Sequence, residues 1–241
     1  MEARRRTRHE RRARRACGLS RRYAAWSLDM APVLLVAALT STHTLRNGAT
    51  RIAEAFDALV QAMARAMLDL LAQGGSPLEL SQAWLADPAQ RALVTSLSEA
   101  IAGTLLPPLL LACVLALAWF AGWEASPAQA TPGKRALGLR SCTASGGRIG
   151  LARAAARHLA GTLSWLTFNI GHLLALTPPR YQALHDRIAG TRVLRVDPAK
   201  GLPAWAAAWL VLQCLAAVAI AAWLFVGTQA AMHRALDAVL L

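Results

Sequence analysis

Apolar residues fall in four long runs with polar segments between them. A helix needs roughly 20 apolar residues, at about 1.5 Å rise each, to cross ~30 Å of hydrocarbon. Residues 23–42 qualify, interrupted only by Asp29 and Pro32. Residues 101–120 qualify as the second, and 159–177 qualify with Asn169 and His172 inside the run. Residues 204–226 form the fourth and cleanest stretch. Trp119 and Trp123 flank the end of the second, and Trp205 and Trp209 the start of the fourth, where interfacial aromatic belts are expected. The first run is too long for a signal-peptide core and holds Asp29, so a retained anchor is expected.

The segments between the runs are patterned too. In 43–100, Ile52, Phe56, Leu59, Met63, Met67 and Leu70 recur at helical spacing, with Glu54, Asp57 and Arg65 off that stripe. Such a stripe reads as a packing or bilayer-lying face rather than a cofactor site. Gly74-Gly75 ends that helix. Ser76-Pro77-Leu78-Glu79 has the form of a capping box with proline at the first helical position, and Asp87-Pro88-Ala89-Gln90 repeats the signal. The helix starting there is expected to run into the second apolar stretch, bent near Pro107-Pro108. Further on, 137–143, the turn Ala144-Ser145-Gly146-Gly147 and Arg148-Ile149-Gly150 read as a short hairpin. The run 190–196 alternates like a strand and is expected to pair with that hairpin. Pairing needs both on one side of a membrane, so 151–177 is expected to be a re-entrant helical hairpin, broken near Gly161 or Asn169-Ile170-Gly171, rather than a plain span.

Composition sharpens the location. The chain is 56% hydrophobic and 16% charged, against roughly 25% charged in an ordinary soluble domain. Its net charge is nevertheless +13. Ten arginines lie in 4–22: Arg4, Arg5, Arg6, Arg8, Arg11, Arg12, Arg14, Arg15, Arg21 and Arg22. Residues 43–100 hold four basic and six acidic side chains, a net of −2, while 122–158 hold six basic residues against Glu124. Basic residues stay cytoplasmic, so the N-terminus is expected inside and 43–100 exported. The arm is expected to meet anionic lipid headgroups, not nucleic acid. Four scattered cysteines make neither a disulfide framework nor a zinc pattern.

Few residues offer chemistry. Arg22 and Asp29 are seven apart, two turns, and share one face of the first helix. A carboxylate in a span is costly and should have a partner, as a proton or cation site or as a structural pair with an arginine. Thr131-Pro132-Gly133-Lys134-Arg135-Ala136-Leu137-Gly138-Leu139-Arg140 is not a phosphate-binding P-loop, which would need Gly at 128 and Ser or Thr at 135 where the chain has Ala128 and Arg135. In Leu184-His185-Asp186-Arg187-Ile188-Ala189-Gly190-Thr191, no second histidine or carboxylate stands at ligand spacing, so no metal is expected. No nucleophile elbow occurs, and no enzyme activity or cofactor is expected. His43, His158, His172 and His233 are isolated and read as ordinary structural residues.

Together the motifs resemble the RDD family of prokaryotic integral membrane proteins. These are Arg22, Ala25 and Asp29 at the start of the first span; Thr131, Gly133, Lys134, Gly138, Leu139 and Arg140 after the second; and Leu184, His185, Asp186, Arg187, Ala189, Gly190 and Thr191 after the third apolar stretch. The family is named for an arginine and two aspartates, which by position are Arg22, Asp29 and Asp186. The resemblance covers about 20–45 and 100–197. The insert at about 46–98, the fourth span, and Ser141 where the family commonly has Val all depart from its pattern. The resemblance implies an inner-membrane, multi-pass, all-α bundle of three spans plus a re-entrant or fourth spanning segment, with a small cytoplasmic β element. The expected organisation is a basic arm at 1–22, an RDD-like domain at 23–197 and a C-terminal transmembrane helix at 198–241. Two functions fit. One is a transporter or transporter component coupling cation and proton movement, with Asp29 binding the ion, Arg22 tuning it, and Asp186 gating or pairing with a loop arginine. The other is a non-transporting scaffold, assembly factor or lipid-associated regulator in which the same three residues lock the β element in place. A homo-oligomer or a membrane partner protein is expected in either case.

Overall fold

A computed structural model describes residues 18–240, except 75, 167–169, 178–180 and 197–200. The basic arm up to residue 17 and the expected break at Asn169 lie outside the described residues. Nine helices and two strands are described. They are α1 (Leu19–Thr40), α2 (Thr42–Ala72), α3 (Pro77–Ala86), α4 (Pro88–Ala125), α5 (Pro132–Ala136), β1 (Leu139–Thr143), α6 (Leu151–Leu166), α7 (Ile170–Leu173), α8 (Leu184–Ile188), β2 (Thr191–Arg195) and α9 (Ala204–Leu240). Among the described residues three helices are long and apolar enough to cross a membrane: α1, α4 and α9. The chain divides into two compact units, 1–37 with 111–212 and 38–110 with 213–241.

Small residues bring the helices of the first unit together. Val33 and Ala37 of α1 are buried against Ala112, Ala116 and Phe120 of α4, each set at helical spacing. In lipid there is no hydrophobic force between helices, so close backbone approach at alanine carries the packing. A second cluster joins Ala24 and Ala25 of α1 to Leu137, Leu139 of β1, Val193 of β2 and Ala206 of α9. The indole of Trp209 donates to Ser27 Oγ at 3.0 Å, tying α9 to α1. Arg21 donates to the carbonyls of Leu137, at 2.9 Å, and Gly201.

The sheet differs from expectation. β1 pairs directly and antiparallel with β2, from Leu139 opposite Arg195 to Thr143 opposite Thr191, and 148–150 form no strand. The turn after β1 does form, with Gly147 N donating to Thr143 Oγ1 at 2.8 Å. Ile149 then leaves the sheet to be buried with Ala121 and Ala154. An apolar side chain with a core to enter outcompetes a local hairpin.

The described residues of the third apolar stretch lie in two helices and a 3₁₀ turn. α6 runs unbroken through Gly161, so no break occurs there; α7 is described from Ile170, followed by a 3₁₀ turn at Leu174–Leu176. Sixteen residues rise only about 24 Å. α6 is also amphipathic in the inverted sense. Ala154, Arg157, Ala160 and Ser164 are buried, while Leu151, Leu159 and Leu163 face outward.

The second unit contains the insert. Ser76 and Glu79 form the expected capping box, with Ser76 N donating to Glu79 Oε2 at 2.7 Å and Glu79 N to Ser76 Oγ at 3.3 Å. Asp87 Oδ1 caps α4 by accepting from Ala89 N at 2.8 Å. The packed face of α2 only partly follows the sequence stripe, with Phe56 packed on the buried cluster. Val60 and Ala64 are buried against Ala235 of α9, and Met63 and Met67 point outward. Small side chains permit close helix approach, which a methionine seam would prevent.

Candidate functional site

The motif residues converge in the first unit, around two carboxylates with separate partners. Asp29, on α1, is buried. Its Oδ2 accepts from the Thr131 hydroxyl, and its Oδ1 accepts from Gly133 N at 2.8 Å and from the Trp119 indole at 3.4 Å. Thr131 is also the N-cap of α5, accepting from Lys134 N at 3.4 Å. Glycine is required at 133, because a Cβ there would strike the carbonyl oxygen of Ala25 and lie 2.8 Å from Asp29 Oδ2. The loop after the second span is therefore latched to the first span through Asp29.

Arg22 and Asp29 share a helix face but do not bond to each other. Arg22 donates through Nη1 to Asp186 Oδ2 at 2.8 Å and through Nη2 to the Tyr181 carbonyl at 3.0 Å. The other oxygen of Asp186 accepts from Arg157 Nε at 2.9 Å and from Thr191 Oγ1 at 3.4 Å. Asp186 also caps its own helix, accepting from Ala183 N at 3.2 Å. Arg157 continues the chain, donating through Nη1 to both oxygens of Glu124 at 2.5 and 2.6 Å. Lys134 pairs with Glu124 and donates to Ser141 Oγ at 2.9 Å. The result is an alternating buried row, Arg22–Asp186–Arg157–Glu124–Lys134, drawn from α1, α8, α6, α4 and α5. Three cations face two anions. The arginines that Asp186 meets are helical, not loop residues.

Electrostatics follow from this burial. Burial alone would raise the carboxyl of Asp186, but Arg157 and Arg22 overcome it and hold the group well below the usual carboxylate range. Burial lowers the Lys134 ammonium, while Glu124 pulls it back up. His185 lies with Nε2 3.4 Å from Arg157 Nη2. A guanidinium can only donate, so Nε2 accepts and the proton is assigned to Nδ1. Burial pushes this imidazole down to about 3; Asp186 opposes that and Arg157 reinforces it.

The remaining motif residues shape the scaffold. Gly138 (φ +63°) and Gly190 (φ +62°) take left-handed turns just before β1 and β2. Each carbonyl accepts from the far end of the opposite strand, Gly138 O from Val196 N and Gly190 O from Ala144 N, both at 2.8 Å. Arg140 donates to the side chain of buried Gln129. Arg187 is exposed and its side chain donates to the nearby Gln182 carbonyl, at 3.2 Å, so among the described residues it stands outside the charge row. Sequence reasoning did not place Glu124, Arg157, Ser141 or Trp119 in the site, although it read Trp119 as an interfacial aromatic and Ser141 as a departure from the family pattern. Two signals pointed to them: Glu124 is the lone acid after an apolar span, and Arg157 lies three residues after Ala154 and before Ala160 on the small-residue side of α6.

The family model described as the RDD family matches residues 16–190. The uncharacterized protein YxaI of Bacillus subtilis (strain 168) is 33% identical over 89 residues, covering 37% of this chain and 58% of that protein. No solved structure matches the chain.

Arg157→Met should lower stability by about 3–5 kcal/mol, because Glu124 and Asp186 both lose a buried counter-charge. Exposed Arg187→Met should stay within about 0.5 kcal/mol. Thermal melting in detergent checks both, and equal melting temperatures would refute the bridging role. The pH dependence has a defined sign. His185 is held below its ordinary ~6.5, so the unfolded chain takes up the proton first. The His185 contribution should be flat above about pH 7 and should cost up to about 1.4 kcal/mol per unit as pH drops from ~6.5 toward 4. Asp186 loses its contribution only below about pH 4. Melting of His185→Gln across this range should show a shallower slope.

Proposed function

The chain belongs to the RDD family, a membrane protein with apolar spanning helices, and from that premise we propose that it is a non-catalytic, non-transporting scaffold or lipid-associated regulator of the cytoplasmic membrane. In this reading the buried charge row locks a small β-containing cap onto the spans. One observation carries it: Asp29 and Asp186 are both buried, and every carboxylate oxygen accepts from an internal donor. A cation-binding carboxylate must release such donors at each cycle. Here the donors include Gly133 N, whose place is fixed by contact with α1.

The cap is assigned to the cytoplasmic side, together with the N-terminus. The ten arginines of 4–22 and the six basic residues of 122–158 support this, as does the net −2 of 43–100. Pairing of β1 with β2 keeps 139–143 and 191–195 on one side. The inverted amphipathicity of α6, leucines outward and Arg157 inward, then suits a segment that dips into the bilayer surface and returns. α9 crosses once more and carries the C-terminus outside. Anionic headgroups would meet the basic arm, and a second copy or a membrane partner would complete the working assembly.

A transporter remains the second reading, favoured by Asp29 lying inside a candidate span. Two measurements separate the readings. Asp29→Asn and Asp186→Asn should each reduce the amount of protein in the membrane several-fold. Proton-coupled sodium or potassium flux in everted vesicles should stay at background for the wild-type protein. Normal abundance of Asp29→Asn together with loss of a genuine wild-type flux would decide for transport. Orientation is checked in a cysteine-free background. An impermeant thiol reagent should label Gln73→Cys in intact cells, and Ser145→Cys only after permeabilisation; the reverse pattern would invert the topology.

A further inference from the structure

An open groove of about 560 Å³ runs along α1 and α4 within the first unit. Pro32, Val33 and Val36 form one wall, and Leu115, Ala118, Trp119, Gly122 and Trp123 the other. We infer that this groove seats one acyl chain of a bilayer phospholipid, held specifically rather than as bulk solvent.

The occupant follows from where the groove is and what lines it. Both walls belong to helices long and apolar enough to cross a membrane. The indole of Trp119 is turned to Asp29, so its N–H is already used. The other wall side chains are aliphatic or glycine, apart from Trp123 at one end. Water in such a place would lack the two to four polar partners that hold a buried water. Hydrocarbon is therefore the filling medium.

The shape argues for a seated chain rather than a passing one. A Cβ placed on Gly122 would meet nothing within 4 Å, so this glycine leaves a slot beside Trp119 and Trp123. Those two rings meet edge to face, with centroids 5.9 Å apart and planes at 63°, an arrangement that holds each in place. Leu115 to Trp123 spans about 12 Å of helix, a length that an extended chain can follow. Trp123, last in the groove and one residue before Glu124 of the charge row, suits the headgroup level. Because Trp119 is both groove wall and donor to Asp29, a seated chain also steadies the latch.

This inference deepens the reading of the protein as lipid-associated and relies on it for the bilayer setting. Its test is independent of abundance and flux. Full-length protein, extracted in mild detergent and supplemented with phosphatidylglycerol and phosphatidylethanolamine, is examined by native mass spectrometry. Most wild-type chains should carry one phospholipid. Gly122→Leu puts its Cβ into open space and replaces a helix-interior glycine by a better helix former, so it should fold and melt at or above the wild-type temperature, yet lose the bound lipid at least tenfold. Val218→Leu, on the exposed face of α9, should keep it. A wild-type chain without lipid, a detergent adduct alone, a lipid-free dimer, or undiminished lipid on a folded Gly122→Leu would each overturn the assignment.

Discussion

Arg157 makes two buried carboxylates tolerable at once. Its Nε serves Asp186 and its Nη1 serves Glu124, in a planar fork that a lysine could not reproduce. Taking each ion out of water costs several kcal/mol, and attraction in a low dielectric offsets that only when the remaining hydrogen-bonding positions are met. Ser141, Thr191, the Ala183 amide and the Tyr181 carbonyl meet most of them, while Arg22 Nε is buried without a partner among the described residues. The row therefore adds little net stability but specifies one arrangement. Any other docking of the cap would strand a charge. The same demand turns the polar stripe of α6 inward and its leucines outward, the reverse of a soluble amphipathic helix.

The two aspartates of the family motif do different work on the same object. Asp29 fixes the loop before β1 to the first span through neutral donors. Asp186 fixes the helix before β2 to the same span through Arg22. The strands are joined in turn by the reciprocal bonds at Gly138 and Gly190. Thus α1 holds both halves of the sheet by residues two turns apart, and Ala24 and Ala25 between them leave room for Leu137, Leu139 and Val193. The spacing of Arg22 and Asp29 fits two docking points on a cap, with no contact between the two side chains.

What the sequence made legible depended on range. Three spans, the capping box at Ser76 and the β character of 191–195 came from local periodicity and turn chemistry, and each is present. The shared face of Arg22 and Asp29 was also readable, but their partners lie 164 and 102 residues away along the chain. Nothing local indicates such partners. The hairpin expected at 137–150 failed for the same reason: its turn was local information, whereas the core that captures Ile149 was not. The partial offset of the α2 stripe reflects a rule of closeness. Hydrophobicity favoured methionine, and contact with α9 selected Val60 and Ala64.

Ser141 shows how such a departure carries information. A valine there would suit a strand, and its replacement by serine looks like a weakening of β1. In the folded chain Ser141 is fully buried and accepts from Lys134, with Arg157 Nη1 3.4 Å away. With three cations and two anions in the row, one ammonium proton needs an acceptor that is not a carboxylate. A hydroxyl on the inward face of β1 supplies it without adding a third buried negative charge. The polar residue in the strand and the charge excess in the row answer each other, which ties the small sheet to the ionic core rather than merely placing it alongside.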